Sequence, residues 1–308
     1  MLQRFEQIEE LVVQRPPGRI AVACAHDDHV LRSVYDVYAK GYAAPTLIGD
    51  KERIFRIADE MKIDVSRMAI IKELDEKKSA EIAVNLVSSG EADVIMKGLL
   101  QTADLLKAVL ERDKGLRTTA LLSHVGLYEV TGYHKLLYIT DAGINIAPDL
   151  RQKIEIIRNA VDVARALGVE QPKVAALAAV ETVNPAMPGT LDAAALAKMS
   201  QRGQIKDCLI DGPLAMDNAV DAEAARRKQI ISDVAGDADI LLVPNIDAGN
   251  ILVKSLIFLS NARSCGIITG ARVPLVVTSR AESSPAKYFS ILLALAMLGQ
   301  AGIDRRGN

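Results

Sequence analysis

The sequence lacks several features that would assign it to a familiar class of protein. It has only three cysteines, Cys24, Cys208 and Cys265, which are far apart and each lie in or beside an apolar run. We expect them to be buried thiols of a reducing compartment, not a disulfide or zinc framework. No apolar run reaches the roughly 18 residues of a membrane span. Met1–Arg15 is acidic and amphipathic, without the apolar core of a signal peptide. These absences predict a cytoplasmic protein with no membrane partner.

The chain also lacks a large excess of charge of either sign. It has 37 lysines and arginines against 39 aspartates and glutamates, a formal net charge of −2. A general nucleic-acid binder would carry a broad basic surface, so we expect no nucleic-acid partner. Hydrophobic residues, in contrast, make up 50% of the 308 positions. That share supports a large core, and the length suggests about two domains at about 150 residues each.

Short apolar segments alternate with amphipathic ones along most of the chain. The predicted strands are 19–24, 45–48, 68–71, 92–96, 120–125, 135–139, 173–178, 207–210, 239–243, 266–269 and 274–278. Because most of them are continuously apolar, they predict an α/β fold with mainly parallel sheets covered by helices on both faces. The glycine-containing link between 120–125 and 135–139 suggests a hairpin. We predict a first domain of residues 1–141 plus 281–308 and a second of residues 142–280.

Polar residues or glycine repeatedly follow the predicted strands. They are Lys97-Gly98, Thr140-Asp141, Glu181-Thr182, Asp211-Gly212, Asn245 and Ser279-Arg280. Ligands of open α/β sheets bind beyond the carboxyl ends of the strands. Each of these positions alone could be a helix cap, but six together predict a polar cleft and favour an enzyme.

Common catalytic motifs are missing. The sequence has no G-x-x-x-x-G-K-[ST], G-x-G-x-x-G, G-x-S-x-G or H-E-x-x-H. His26 and His29 flank two aspartates, but nothing else in the sequence completes a coordination set around them. We expect Asp28 to be the N-cap of the helix that follows, and we predict no metal site.

Residues Thr278–Ser284 are the sharpest candidate for an anion site. Hydroxyls and backbone N–H groups at a helix N-terminus bind anions, and Arg280 adds a planar, permanently charged group suited to phosphate. The alternative is that Ser283 or Ser284 only caps the last helix while Arg280 faces water.

Two other segments combine turn residues with polar side chains. Gly98 allows a sharp turn, Thr102 can cap the next helix, and Lys107 within that helix faces either a substrate or water. Asn245 opens another helix, in a segment that also contains Gly249 and Asn250. Its polar density exceeds what one cap needs, although capping alone would explain it.

Taken in order, six segments resemble the phosphate acetyl/butyryltransferase family. They are KGLLQTAD (97–104), LSHV (122–125), ITDAGINIAP (139–148), IDGPLAMD (210–217), VPNIDAGNILVK (243–254) and GARVPLVVTSR (270–280). KGLLQT and LSHV look more like the butyryl-type branch than the acetyl-type one. The resemblance implies two α/β/α domains similar to isocitrate and isopropylmalate dehydrogenases, with the active site in the interdomain cleft. It also implies a homodimer and no organic cofactor beyond the coenzyme A substrate.

The reaction that the resemblance implies is reversible: acyl-CoA and phosphate give acyl phosphate and CoA. Ser279 and Arg280 match the family's catalytic Ser-Arg pair, with Arg280 holding the phosphoryl group and Ser279 hydrogen-bonded to the reacting centre. Lys107 falls where acetyl-type members carry a phosphate-binding arginine, and Thr102 would lie near the phosphate. The expected substrate-binding set also includes Lys97, Gly98, Asp141, Asp211, Asn245, Gly249 and Asn250.

The chain departs from the acetyl-type pattern at the proposed base. Those members place an aspartate six residues beyond the catalytic arginine, where this chain has Ala286. Glu282 is the nearest carboxylate and becomes the candidate base.

Two alternatives to the acyltransferase stay open. A metal- and NAD(P)-dependent decarboxylating dehydrogenase of the same fold would use clustered aspartates such as Asp211, Asp217 and Asp221. A non-catalytic sensor of CoA or acyl phosphate would have lost its base, as Ala286 suggests. For the acyltransferase, a four-carbon or branched acyl group is slightly preferred over acetyl.

Overall fold

The computed structural model describes residues 2–279 and 282–299, and contacts divide the chain into two compact units. The outer unit consists of Glu6–Ala120 and the chain from Cys265 onward, and the middle unit consists of Met1–Phe5 and Leu121–Ser264. The crossings after Ala120 and Ser264 come earlier in the chain than the predicted boundaries after residues 141 and 280, and the crossing after Phe5 was not predicted. The crossing after Ala120 lies before the predicted hairpin because both hairpin strands belong to the sheet of the middle unit.

The secondary structure alternates as the sequence predicts. In chain order, the strands are β1 (Gly18–Ala23), β2 (Ala43–Gly49), β3 (Ala69–Lys72), β4 (Val94–Lys97), β5 (Ser123–Glu129), β6 (Leu137–Thr140), β7 (Lys173–Leu177), β8 (Leu209–Leu214), β9 (Ile240–Leu242), β10 (Arg263–Thr269) and β11 (Leu275–Val276). The helices are α1 (Glu6–Val13), α2 (Asp28–Ala39), α3 (Lys51–Met61), α4 (Glu76–Ser88), α5 (Thr102–Val109), α6 (Leu150–Ala166), α7 (Pro188–Gln201), α8 (Met216–Val220), α9 (Ala222–Arg227), α10 (Ile246–Leu259) and α11 (Ser284–Ala296).

The sheet of the outer unit has the strand order β3-β2-β1-β4-β11-β10. Its neighbours are parallel except for the antiparallel pair of β10 with β11. Helix α11 packs against α1, α2, β4 and β11 and is buried from Lys287 to Ala296. The apolar run 291–298 is therefore a buried core helix.

The sheet of the middle unit has the order β5-β6-β9-β7-β8. Strands β5 and β6 are antiparallel, which confirms the predicted hairpin, and the other pairs are parallel. The predicted α/β class with mainly parallel strands is thus correct. Its closer similarity to isocitrate dehydrogenase stays a prediction.

Aspartates begin several helices. Asp50, Asp75 and Asp149 accept backbone hydrogen bonds at the N-termini of α3, α4 and α6. At α2 the prediction was wrong by one residue, because the N-cap is Asp27, whose carboxylate accepts from the Val30 N–H at 3.0 Å.

In the part of the chain that the structure describes, none of the helices combines the length and the apolar composition that a membrane span requires.

Candidate functional site

Two strand ends of the outer unit lie side by side. Because β4 and β11 are parallel neighbours, the segments that follow them leave the sheet at the same edge. Lys97, Gly98 and Ser279 line one open pocket of about 220 Å³ there, together with Asp27 and Lys287. The structure therefore brings together three of the residues selected from the sequence.

Gly98 holds the β4 segment close to the end of β1. Its N–H donates to the Ala23 carbonyl at 2.8 Å, and the Leu99 N–H donates to the Cys24 carbonyl at 2.9 Å. A Cβ at position 98 would lie 2.7 Å from the Ala23 oxygen and closer still to the Cys24 oxygen. Glycine is therefore required here by a close approach of two backbones.

Lys97 is buried at the bottom of this turn. Its side chain is 5% exposed, and Nζ donates to the carbonyls of Gly98 at 3.1 Å and Leu100 at 3.2 Å. Charged amines are rarely buried this far without polar partners. Lys97 therefore shapes the turn and brings positive charge to the pocket.

Glu282 holds the backbone of Ser279. Its Oε1 accepts from the Ser279 N–H at 3.1 Å, and its own N–H donates to the Ser279 carbonyl at 3.2 Å. Arg280, the predicted phosphate-binding partner, lies outside the described residues. The described contacts thus tie the candidate base directly to the candidate catalytic serine.

Lys287 is the pocket residue that the sequence analysis missed. It is 3% exposed, and Nζ donates to Thr278 Oγ1 at 3.0 Å and to the Ser279 carbonyl at 2.8 Å. Burial lowers the pKa of Lys287, while the charges of Glu282 and Asp27 partly oppose that shift. In the sequence, Lys287 is a single charged residue shortly before the apolar run 291–298. A lysine three residues into an otherwise apolar helix was the available signal.

The other outer-unit candidates follow the turn. Gln101, not Thr102, occupies the N-cap of α5, and no side chain caps this helix end. The expected capping by Thr102 was therefore wrong, because the helix begins at Thr102 itself. Lys107 is exposed on the same helix.

The two histidines that we considered as metal ligands have other contacts. His29 Nδ1 lies 2.9 Å from Ser284 Oγ, and His26 Nδ1 accepts from the Asp50 N–H at 3.3 Å.

In the middle unit, Asp141 organises the loop that follows β6. It is buried, and its carboxylate accepts from the N–H groups of Gly143, Ile144 and Asn145 at 2.9, 3.0 and 3.1 Å. The Asn145 Nδ2 group adds a fourth hydrogen bond of 2.7 Å. The four donors give this carboxylate a clear structural role in shaping the loop.

The N-terminus of α10 packs on that loop. Asn245 is its N-cap and accepts from the Ala248 N–H at 3.0 Å. A Cβ on Gly249 would lie 3.0 Å from Ala142 Cα, and Asn250 Nδ2 donates to the Ala142 carbonyl at 3.4 Å. Asp141, Asn245, Gly249 and Asn250 are therefore gathered at the carboxyl ends of the neighbouring strands β6 and β9.

Asp211 lies elsewhere. We expected it just past a strand ending at residue 210, but it is within β8, where its Oδ1 accepts from the Gly212 N–H at 2.8 Å. We placed Asp211 and Gly212 after the strand, yet β8 continues through Pro213 to Leu214, because it is the edge strand of the middle unit and tolerates proline. The strand-end assignment of Asp211 was wrong.

No group of three or more histidine, cysteine, aspartate or glutamate side chains in the described ranges is arranged to hold a metal ion. The three cysteines are buried free thiols.

We predict that Gly98→Ala disturbs the pocket. The added methyl group meets two backbone carbonyls that cannot move aside as a side chain tip would, so we expect a loss of about 1–3 kcal/mol in the free energy of unfolding. Urea denaturation measures the loss. Gly189→Ala is the matched control, since its Cβ would meet only Pro244 Cβ at 3.4 Å. Equal stability of the two variants would contradict the close approach.

The chain is similar over nearly its whole length to known acyltransferases. It is 46% identical to the phosphate butyryltransferase of Clostridium acetobutylicum, over 97% of this chain and 99% of that protein. It is 45% identical to the phosphate acetyltransferase of Thermotoga maritima, over 93% of this chain and 98% of that protein. Among solved structures, a branched-chain phosphotransacylase from Enterococcus faecalis V583 matches with a TM-score of 0.80 and 32% identity. That match covers 92% of this chain and 99% of the other.

A dehydrogenase shares the fold at a greater distance. The 4-hydroxythreonine-4-phosphate dehydrogenase from Klebsiella pneumoniae matches with a TM-score of 0.54 and 16% identity, over 91% of this chain and 99% of that one. At this identity the likeness concerns the fold alone. It lends the dehydrogenase alternative no support against relatives that are 45% identical and named as transferases.

The family model described as phosphate acetyl/butaryl transferase matches residues 73–295. This range contains every candidate site residue of both units. Together with the relatives above, the match shows that the chain belongs to the phosphate acetyl/butaryl transferase family.

Proposed function

We propose that this acyltransferase moves a short acyl group reversibly between coenzyme A and inorganic phosphate, at the outer-unit pocket that contains Ser279. One observation supports this location most strongly: two buried lysines, Lys97 and Lys287, line the same pocket as Ser279. Phosphate, acyl phosphate and a thiolate all carry negative charge. Fixed ammonium groups beside the pocket favour binding all three.

The reaction needs donors for phosphate and for the developing oxyanion. Arg280 would hold the phosphoryl group through its planar pair of N–H donors, and Ser279 would hydrogen-bond the reacting carbonyl. Thr102 and Lys107 would contact the phosphate from α5. In the middle unit, the loop of Asp141 and the α10 start that contains Asn245 keep only the substrate-binding role that the family resemblance implies.

Glu282 is the proton acceptor in this proposal. In the direction that makes acyl-CoA, the CoA thiol must lose its proton before it attacks the carbonyl. One carboxylate oxygen of Glu282 accepts from the Ser279 N–H. The other oxygen can take the thiol proton while the first stays in place.

Two further properties follow the family resemblance. The enzyme would need no organic cofactor beyond CoA itself, and it would be a homodimer. The apolar surface of α10 supports the dimer. On this helix, Ile251, Phe258 and Leu259 have exposed fractions of 67%, 70% and 81%. Apolar side chains this exposed on one helix are typical of a face that a second copy of the chain covers.

We predict phosphate-dependent release of CoA thiol from acetyl-, butyryl- and isobutyryl-CoA, with the highest kcat/KM for butyryl or isobutyryl-CoA. A thiol reagent follows the release. Arg280→Ala is the active-site control and should lower turnover about 10²-fold, because a charge contact of the transition state is lost. Highest activity with acetyl-CoA would overturn the chain-length preference. Binding of CoA without turnover would favour the sensor.

We predict that Glu282→Gln removes the acid limb of the pH–rate profile. A carboxylate base works only when deprotonated, so the wild-type rate rises as pH rises through its pKa. Glutamine keeps an oxygen for the Ser279 N–H but accepts no proton. Turnover should therefore fall about 10²-fold or more without that limb. Glu282→Ala removes both the proton acceptor and the hydrogen-bond acceptor of the Ser279 N–H. An unchanged acid limb in Glu282→Gln would mean that the base is elsewhere.

We predict that replacing Phe258 and Leu259 together by glutamate converts the dimer to a monomer, because buried unpaired carboxylates oppose association. Sedimentation velocity measures the mass. Ile231→Glu is the control, since this side chain is fully exposed and lies outside α10. A wild-type monomer, or a double variant that stays dimeric, would contradict the proposed interface.

A further inference from the structure

Lys287 is bound to the segment that precedes its own helix. It lies in the first turn of α11, and its ammonium group reaches back to Thr278 and Ser279. Water supplies the hydrogen-bond acceptors of a solvated lysine, but a buried ammonium needs acceptors from the protein. Here both acceptors belong to the segment that carries the candidate catalytic serine.

Ser279 is consequently held on both sides of its peptide backbone. Its N–H donates to Glu282, and its carbonyl accepts from both the Glu282 N–H and Lys287 Nζ. A serine whose main chain is fixed in this way keeps one orientation relative to the pocket. Small displacements of a reacting group cost large factors in rate.

We propose that Lys287 is a positioning residue for Ser279, and that its positive charge, not its bulk, is what the reaction requires. This inference rests on the proposed role of Ser279. Charged donors make shorter and stronger hydrogen bonds than neutral ones, so the protonated amine holds the Thr278–Ser279 segment more firmly. The same charge lies beside the pocket in which negative charge develops.

The surroundings of Lys287 set the pH range over which this charge persists. Burial lowers its pKa, and the facing carboxylates of Glu282, Asp27 and Asp28 oppose part of the shift. Lys97, which lines the same pocket, adds a like charge. Because the protonated form is the active one, turnover should fall as pH rises through this pKa. The alkaline limb of the pH–rate profile is thus assigned to Lys287.

Lys287→Met and Lys287→Arg test the charge. Methionine fills a similar volume without a donor. We expect kcat to fall about 10²-fold, a larger change than the rise in KM for the anionic substrate, and the alkaline limb to disappear. Arginine keeps a charge that does not titrate below pH 12. It should restore part of kcat and move the limb beyond the measurable range. Wild-type kcat in Lys287→Met, or an alkaline limb unchanged in that variant, would overturn the proposal.

Ser290→Ala is the matched control on the same helix. Ser290 is buried, accepts from the Gly266 N–H and donates to the Ala286 carbonyl, so its loss also weakens the attachment of α11. It is not among the residues that line the pocket. We expect a loss of stability in urea with the alkaline limb unchanged. If this variant lost the limb as well, the effect would be general weakening and the inference would fail.

A measurement on the wild-type enzyme covers the case in which Lys287→Met fails to fold. Labelling with acetic anhydride at a series of pH values, read by mass spectrometry, gives the pKa of each reactive lysine. Lys287 should titrate below the ordinary range of a lysine, because burial lowers its pKa; a value in or above that range would contradict the inference. Ser279→Ala separates the proposed reaction site at Ser279 from the proposed positioning role of Lys287. If it keeps full activity, the proposed site is wrong. If it is inactive while Lys287→Met is not, only the positioning role is wrong.

Discussion

The pocket of the outer unit depends on how closely the turn after β4 approaches the end of β1. Parallel pairing aligns Lys97 with Ala23, and the next residue must then pass over the carbonyls of Ala23 and Cys24. Only a residue without a side chain fits at that distance. The turn places Lys97 beneath the pocket and starts α5 at Thr102. Most other contacts of the site follow from this arrangement.

The second constraint is the burial of two amines. Removing an ammonium group from water costs several kcal/mol, and a hydrogen bond to a charged group returns about 1.5–3 kcal/mol. Lys97 donates to the carbonyls of Gly98 and Leu100, and Lys287 donates to the Thr278 hydroxyl and the Ser279 carbonyl. These oxygens carry no full charge, so they satisfy the donors without cancelling the charge of the amines. The carboxylates of Asp27 and Glu282 also face Lys287, so an anionic substrate would meet charges of both signs there.

The sequence was most informative where one local rule decides the structure. Continuous apolar runs predicted the parallel strands, and polar residues after them located Lys97, Ser279, Asp141 and Asn245 at strand ends. The prediction failed for Asp211, because whether a glycine-proline pair ends a strand depends on its being at a sheet edge. It missed Lys287 because a lysine in an apolar helix is informative only when its acceptors are known. Those acceptors lie eight and nine residues earlier, in a segment whose path tertiary packing decides.

The contacts of Ser279 also concern position 286, where this chain has alanine in place of the aspartate expected from the acetyl-type members. At that position Ala286 donates its N–H to Ser283 Oγ, within the first turn of α11. Positions 286 and 287 do not face each other on a helix, so the alanine leaves the contacts of Lys287 unaffected. The carboxylate that contacts Ser279 comes instead from Glu282, in the loop before α11. Its oxygen accepts from the Ser279 N–H, while Lys287 Nζ donates to the Ser279 carbonyl. Glu282 and Lys287 therefore hold the same residue from opposite sides of its peptide backbone, so substituting either of them should disturb Ser279.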